Sequence, residues 1–191
     1  QSQHWREFIE ICEVLETFSA LDHYKPTSLG ETAAAIRGDN ELWLGLALRS
    51  GHFDELTPSY LAAASCALIT ETPRPDSESD FPPPMPVINA LRELRGVRRE
   101  LFQVQRRHRV AIPLWLEPDL IGLVEQWVEG IDWSELCEAT SLDEGDLVRI
   151  LRRTRDFLSQ IPHVPHLADS LRTNARLAVE QMERFPVREF E

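Results

Sequence analysis

Residues 140–161 carry the clearest helical pattern in the chain, and that pattern has two distinct faces. Apolar or small side chains recur at helical spacing on one face, namely Leu147, Ile150, Leu151, Thr154, Phe157, Leu158 and Ile161. The opposite face carries Arg149, Arg152, Arg153, Asp156 and Gln160. The pattern predicts a helix that packs along its apolar side and presents a row of arginines on the other side.

We predict that this helix begins at Ser141. The Ser141 hydroxyl can cap the helix, and Glu144, three residues later, can reach back to the backbone N–H of Ser141. Asp143, Glu144 and Asp146 place negative charge at the positive end of the helix dipole. The start of the helix is therefore well specified by its sequence.

The arginine face admits two interpretations. A guanidinium group is planar and can stack on a base or bind a phosphate. Arg149 and Arg153 lie one helical turn apart, so they can reach neighbouring nucleotides of a single strand. Alternatively, the face is solvated and its arginines pair with the protein's own carboxylates. Spacing alone does not distinguish these two possibilities.

The charge balance restricts any nucleic-acid binding to local patches. The 191 residues include 32 acidic and 20 basic side chains, which gives a formal net charge of −12 at pH 7. Phosphate binding requires positive surface. Lys25 is the only lysine, so the other 19 basic residues (20 − 1) are arginines, clustered at 92–109 and 149–155. Local basic patches and a GC-rich genome, which replaces lysine with arginine, are equally good explanations of this bias.

Length and cysteine content are typical of a cytosolic protein. A chain of 191 residues can form one domain with a sizeable core. Cys12, Cys66 and Cys137 are far apart, odd in number and without a CxxC pair, so we predict reduced thiols. The apolar runs are much shorter than the roughly 20 residues of a membrane span. We therefore expect no membrane contact.

Helical periodicity predicts an all-α bundle of short helices with short connections. The predicted helices cover residues 5–21, 42–47, 58–68, 87–110, 120–127, 133–137 and 167–185, besides the helix described above. Residues 22–37 are compatible with either a small wing-like hairpin or a short helical turn. Residues 72–86 are dense in proline and polar side chains, which indicates an extended loop or spacer.

Sequence motifs of catalysis and nucleotide binding are not found. The chain contains no GxxxxGK[ST], GxSxG, HExxH or GxGxxG pattern, so we expect this chain alone to have no catalytic residue and no cofactor. His163 and His166 have a suggestive spacing, but Pro165 disrupts the helix that would align them, and we predict no metal site. The five tryptophans are more typical of core or domain-interface anchors than of base-stacking platforms.

Three sequence blocks occur in an order that is typical of one protein family. They are Asn40-Glu-Leu-Trp-Leu44 with Ser50-Gly-His-Phe-Asp-Glu-Leu-Thr-Pro58 and the helix to Glu71, then Trp127-Val-Glu-Gly-Ile-Asp-Trp133 with 140–153, then Met182-Glu-Arg-Phe-Pro186. These blocks resemble the C-terminal helical (DSHCT) domain of Ski2-like and Mtr4-like DExH RNA helicases, most closely its cyanobacterial and plastid branch. The resemblance covers nearly the whole chain.

The resemblance implies a non-catalytic domain that guides RNA. In this family the domain packs against two RecA-like motor domains and lines the exit of the RNA channel, where a ratchet helix contacts bases. By position in the motif, Arg153 and Asp156 would contact bases, and Arg149 and Arg152 would lie beside the strand or a motor domain. With Gln160 from the same face, these residues form the predicted RNA-binding set. Whether the basic segment 92–109 reaches RNA is left open.

Domain limits and partners also follow from the resemblance. Residues 1–38 resemble the junction to a winged-helix domain, and residues 39–191 resemble the helical bundle, with the proline-rich loop at 72–86. The implied partners are single-stranded RNA, proteins of RNA decay or processing, and motor domains of the same polypeptide, which would hold ATP and Mg²⁺. The implied location is the bacterial cytosol, or the plastid of a plant-type homologue.

The competing hypothesis is a stand-alone helical adaptor. Such a protein would dock a partner through its tryptophan-rich surface and proline segment, and its arginines would be merely solvated. Salt distinguishes the two hypotheses, because RNA affinity falls steeply with ionic strength and a tryptophan-anchored protein contact does not.

Overall fold

A computed structural model describes residues 2–71 and 74–189, which form ten α-helices and one two-stranded hairpin. In chain order the elements are α1 (Ser2–Thr17), β1 (Leu21–Asp22), β2 (Lys25–Pro26), α2 (Ser28–Ala34), α3 (Glu41–Arg49), α4 (Pro58–Ile69), α5 (Met85–Glu93), α6 (Arg95–Arg107), α7 (Ile121–Glu129), α8 (Trp133–Glu138), α9 (Glu144–Gln160) and α10 (Asp169–Met182). The predicted all-α class with a small hairpin is confirmed. None of the described helices is long and apolar enough to cross a membrane.

The segment 22–37 contains both structures that its sequence allowed. Strands β1 and β2 pair antiparallel, and α2 follows directly. The Thr27 hydroxyl caps α2 by accepting the backbone N–H of Gly30 at 3.2 Å. A Cβ atom on Gly30 would lie 2.1 Å from the carbonyl oxygen of Ala20, so only glycine fits where the helix meets the preceding turn.

Helix α4 lies at the centre of the bundle because its side chains are small. Residues 61–68 of this helix are all buried, and four of them are alanines. Small side chains allow neighbouring helices to approach closely, and α7, α9 and α10 all pack against α4. The apolar side of α9 is thereby covered, and its polar side faces outward.

The single long helix predicted over 87–110 is instead two helices, α5 and α6, which meet at Leu94. The Leu94 N–H donates to the carbonyl of Leu91, three residues back, in a tighter turn than that of an α-helix. This turn changes the direction of the chain and leaves Leu94 fully buried together with Leu101. Core packing therefore overrides the continuous helical pattern of the sequence.

An extended strap, residues 110–118, leads from α6 towards α7 and is hydrogen-bonded to α3. The side chain of Gln105 on α6 donates to the carbonyl of Ile112 at 3.0 Å and accepts a hydrogen bond from Asn40 at 2.8 Å. The indole N–H of Trp43 on α3 donates to the carbonyl of Trp115 at 2.9 Å. These bonds fix the strap beside α9, where Trp115 lines the candidate site.

The proline-rich loop is held against the start of α9. Residues 72 and 73 of the predicted segment lie outside the described part of the chain, and its last two residues belong to α5. Ser79 forms an isolated bridge with Thr140, and the Thr140 hydroxyl donates to the carbonyl of Glu78 at 2.6 Å. The described part of the loop, 74–84, is thus attached to the bundle.

Candidate nucleic-acid interface

Asp143, and not Ser141, caps helix α9. The Asp143 carboxylate accepts the backbone N–H of Asp146 at 2.7 Å, and the helix begins at Glu144. The Ser141 hydroxyl instead accepts the N–H of Glu78 at 2.7 Å and donates to the carbonyl of Asp76. The predicted cap was wrong because the proline-rich loop, which is distant in sequence, occupies the Ser141 hydroxyl.

The apolar side of α9 packs into the core as its periodicity predicted. Leu147, Leu151, Thr154, Phe157 and Leu158 are buried. Beneath this side, burial raises the pKa of the Cys66 thiol, which keeps the thiol neutral at physiological pH. The buried side of α9 thus fixes the direction in which its polar side chains project.

Arg153 is exposed near the middle of the polar face of α9. Within residues 2–71 and 74–189, no hydrogen bond or ion pair holds its guanidinium group. Arg153 borders two concavities. One has a volume of about 200 Å³ and is also lined by Trp115, and the other, of about 640 Å³, is lined by Arg149 and the proline-rich loop. Because the Arg153 guanidinium has no partner among the described residues, it is available to an anionic ligand in either cavity.

The smaller cavity lies between α9, the strap and the segment before α3. The indole N–H of Trp115 donates to the Asp39 carboxylate at 3.2 Å. The Gln160 amide accepts the backbone N–H of Arg37 at 2.8 Å and donates to the carbonyl of the same residue at 3.1 Å. Gln160 therefore holds one wall of the cavity. Asp156 also lines the cavity, so its rim carries charges of both signs.

Among the described residues, Arg149 and Asp156 each form an ion pair with a neighbouring side chain. The Arg149 guanidinium is 2.7 Å from the Asp146 carboxylate, and 63% of the Arg149 side chain is exposed. Asp156 accepts hydrogen bonds from its neighbour Arg155 at 2.9 and 3.1 Å. Because the Arg149 side chain is largely exposed, its ion pair contributes little free energy, so a ligand can displace it at small cost.

Arg152 faces the C-terminal segment and is half-buried. Its guanidinium donates to the backbone carbonyls of Pro186 at 2.8 Å and Val187 at 3.1 Å. Arg155 donates to the same Val187 carbonyl at 3.1 Å and pairs with Glu183. Two arginines of α9 therefore fasten the chain that follows α10, and for Arg152 this contact is structural. An RNA contact of Arg152 stays a prediction.

Sequence reasoning missed two residues that line the smaller cavity, Trp115 and Asp39. Neither belongs to the α9 pattern, and the strap that carries Trp115 has no periodicity that would place it beside α9. The tryptophan prediction holds for Trp43 and Trp127, which are buried in the core. Trp115, in contrast, is only half-buried and can contact a ligand.

A group of side chains in the described ranges that could hold a metal ion lies elsewhere, between α1 and the end of α6. The Nδ1 atom of His108 is 2.6 Å from a Glu10 carboxylate oxygen and 3.0 Å from one of Glu13. These contacts join α1 to the end of α6. His163 and His166, whose spacing was considered above, are both exposed, and His166 contacts Glu31 at 3.0 Å.

Comparison with known proteins places the chain in a family. Residues 23–190 match the family described as the DSHCT (NUC185) domain. The chain belongs to the DSHCT family. The predicted family membership is thereby confirmed, including the likeness to Ski2-like and Mtr4-like RNA helicases.

The DSHCT relatives include helicases from plants, bacteria and fungi. The chain is 38% identical over 191 residues to the chloroplastic DExH-box ATP-dependent RNA helicase DExH15 of Arabidopsis thaliana, covering 97% of this chain and 16% of that protein. It is 27% identical over 174 residues to the probable helicase HelY of Mycobacterium leprae (strain TN), covering 85% and 19%. It is 25% identical over 137 residues to the ATP-dependent RNA helicase mtr4 of Schizosaccharomyces pombe, covering 69% and 12%. This chain spans less than a fifth of each relative.

Proposed function

We propose that this DSHCT domain is the non-catalytic RNA-contacting and scaffold domain of an ATP-dependent DExH-box RNA helicase. In this proposal α9 is a ratchet-like helix that lines the RNA exit channel. Motor domains of the same polypeptide bind ATP and Mg²⁺ and perform the unwinding. The main support is the exposed Arg153, which has no partner among the described residues, on a helix whose opposite side is buried. The proposed location is the bacterial cytosol or a plastid.

The geometry around Arg153 suits one nucleotide of a strand. Arg153 and Asp156 are neighbours on the helix surface, where a guanidinium can bind phosphate and a carboxylate can accept a base amino group. The smaller cavity, at about 200 Å³, lies below the roughly 300–1,000 Å³ typical of small-molecule sites. The cavity is therefore better suited to one base of an RNA strand than to a whole small molecule. The Trp115 indole in its wall offers an aromatic surface to that base.

Overall charge predicts weak binding by the isolated domain. A net charge of −12 repels phosphate at long range, and α9 offers few contacts. RNA affinity should therefore be low and should fall steeply with salt. In the helicase, the motor domains would bring the strand to α9 and supply most of the binding free energy.

The test is the double substitution Arg149→Ala with Arg153→Ala in the helicase that carries this domain. We expect RNA-stimulated ATPase and unwinding to fall about tenfold, since loss of one base or phosphate contact is worth about 1–3 kcal/mol. ATPase without RNA and the melting temperature should not change. Arg176→Ala, at another exposed arginine without a described partner, is the matched control. Unwinding at the unaltered rate by the double variant would refute the proposal.

Helix α1 offers a surface for contact with other domains of the same polypeptide. The rings of Trp5 and Phe8 stack with centroids 5.5 Å apart, yet 63% and 52% of these residues remain exposed. We propose that residues 1–38 form the junction to a neighbouring domain and that residues 39–191 form the RNA-guiding bundle. The same surface is the observation that favours the adaptor hypothesis. If the contact is internal, Trp5→Ala with Phe8→Ala should impair the folding or activity of the intact helicase. If the chain is a stand-alone adaptor, the same double substitution should abolish only the binding of its partner.

A further inference from the structure

Helix α6 carries a row of arginines interrupted by an exposed phenylalanine. Arg95, Arg99, Phe102 and Arg106 follow one another at intervals of four, three and four residues, so they share one side of the helix. All four are exposed, and Phe102 keeps 51% of its surface accessible. The other side of α6 is buried against the core through Leu101. We call the four exposed residues the arginine stripe.

The three guanidinium groups of the arginine stripe have no partner among the described residues. None forms a hydrogen bond or an ion pair there. The protein has 32 carboxylates for 20 basic side chains, so a shortage of acids is not the reason. Arg98 in the same helix shows the contrast, because its Nε donates to the carbonyl of Leu114 at 2.7 Å.

We propose that the arginine stripe is a second binding surface for single-stranded RNA. The guanidinium groups would bind successive phosphates, and Phe102 would stack on a base. An acidic protein segment would match the charge, but it would not explain a solvent-exposed aromatic ring in the middle of the row. The proposal shares with the proposed function only the choice of RNA as ligand, and its residues lie on a different helix.

The strap links the arginine stripe to the cavity beside α9. Arg98 holds the strap carbonyl of Leu114, and the next residue, Trp115, lines that cavity. The two surfaces therefore belong to one rigid unit. From Arg95 to Arg106 the helix rises about 16 Å, which is long enough to follow several nucleotides.

An NMR titration of the 191-residue chain with single-stranded oligouridylate at low salt tests the proposal. We expect shifts of the backbone amides along 95–107, separate from any shifts along 149–160. Absence of shifts along 95–107, at any RNA concentration, overturns the proposal. Shifts along 95–107 without shifts along 149–160 would instead contradict the role proposed for α9.

A charge-matched pair of variants separates the arginine stripe from overall charge. The stripe variant is R95Q/R99Q/R106Q, and the control is R6Q/K25Q/R176Q, at three exposed basic residues outside α6 without described partners. Both have a formal net charge of −15, that is −12 − 3. The stripe variant should lose at least about tenfold in RNA affinity, and its salt slope should fall by about 2, because each phosphate contact contributes about 0.7. Equal RNA affinities of the two variants would overturn the proposal.

The phenylalanine distinguishes RNA from an acidic protein as the ligand. Phe102→Ala leaves the charge unchanged and should weaken RNA binding about tenfold through lost stacking. Leu177→Ala, at a residue with 40% of its surface exposed, is the control. The probe for the other ligand class is an oligoglutamate peptide. If this peptide shifts the same amides and Phe102→Ala has no effect on RNA binding, the arginine stripe is a protein-binding surface and the proposal is wrong.

Discussion

Helices α9 and α6 have similar numbers of arginines but use them differently. Three of the four arginines in α9 contact carboxylates or backbone carbonyls, and only Arg153 has no partner in the described part of the chain. In α6, Arg98 is held by the strap, whereas the other four of its five arginines have no described partner. The number of arginines in a helix is therefore a poor measure of its capacity for ligands. What matters is which acceptors the fold brings to each one.

The physical reason for the difference lies in what passes over each helix. The segment after α10 crosses α9, and the guanidinium groups of Arg152 and Arg155 donate hydrogen bonds to its backbone carbonyl at Val187. This segment is itself fixed by Arg184, whose guanidinium lies 3.6 Å from the centre of the Trp127 ring and donates to the carbonyl of Ile131. Helix α6 packs against α1, α5 and the strap on its inner side, and its outer side remains exposed.

The largest effect on stability is expected for substitution of Arg152, and Arg153 on the same helix provides the comparison. Arg152→Ala should lower the free energy of unfolding by about 2 kcal/mol, because it removes charge-assisted hydrogen bonds from two half-buried carbonyls. Arg153→Ala should change it by less than about 0.5 kcal/mol, as expected for an exposed side chain without partners. Urea denaturation of both variants measures the difference. Equal losses would remove the distinction between structural and free arginines in α9.

The same comparison within α6 should give a smaller difference. Arg98→Ala loses one hydrogen bond to the strap, which should cost about 1–1.5 kcal/mol. Arg99→Ala, one residue further along, should be nearly neutral. Thermal unfolding of both variants would show whether α6 has only one arginine that supports the fold, and a clear loss with Arg99→Ala would contradict that view.

The two residues at the start of α9 should have separable roles. Asp143→Ala removes the cap and should cost about 1 kcal/mol, with faster amide hydrogen exchange along 144–147. Ser141→Ala should cost a similar amount or less, with faster exchange along 76–79, where the Ser141 hydroxyl holds the loop. If Ser141→Ala instead exposed the first turn of α9, Ser141 would be acting as the cap.

The smallest effect should follow from freeing a paired arginine in α9. Asp146→Asn removes the partner of Arg149, and stability should change by at most about 0.5 kcal/mol because the Arg149 side chain is largely exposed. RNA affinity at low salt should rise about twofold to threefold, since α9 would then resemble α6 more closely. Unchanged affinity, measured by fluorescence anisotropy, would show that Arg149 does not contact RNA.

Local patterns in the sequence predicted the helices and several of their ends. Asn40 caps α3 by accepting the N–H of Trp43 at 3.2 Å, and Gly130 ends α7 with a φ of 107°. Asparagine and glycine are residue types that favour these two positions. The missed features all depend on distant residues. Arg152 binds Pro186, 34 positions away, and Gln160 binds Arg37, 123 positions away. Helical spacing can place such side chains on a face, but it cannot show which carbonyl passes over that face.

Whether α9 contacts RNA is tested most directly by a cross-linking map of the full-length protein that carries this domain. The protein would be bound to RNA containing 4-thiouridine, irradiated and digested, and the cross-linked peptides identified by mass spectrometry. We expect cross-links within residues 149–160 and at Trp115, and we expect them to be lost in the Arg149→Ala, Arg153→Ala double variant. Cross-links confined to other domains, with none in residues 149–160, would contradict the assignment of α9 as the RNA-contacting helix.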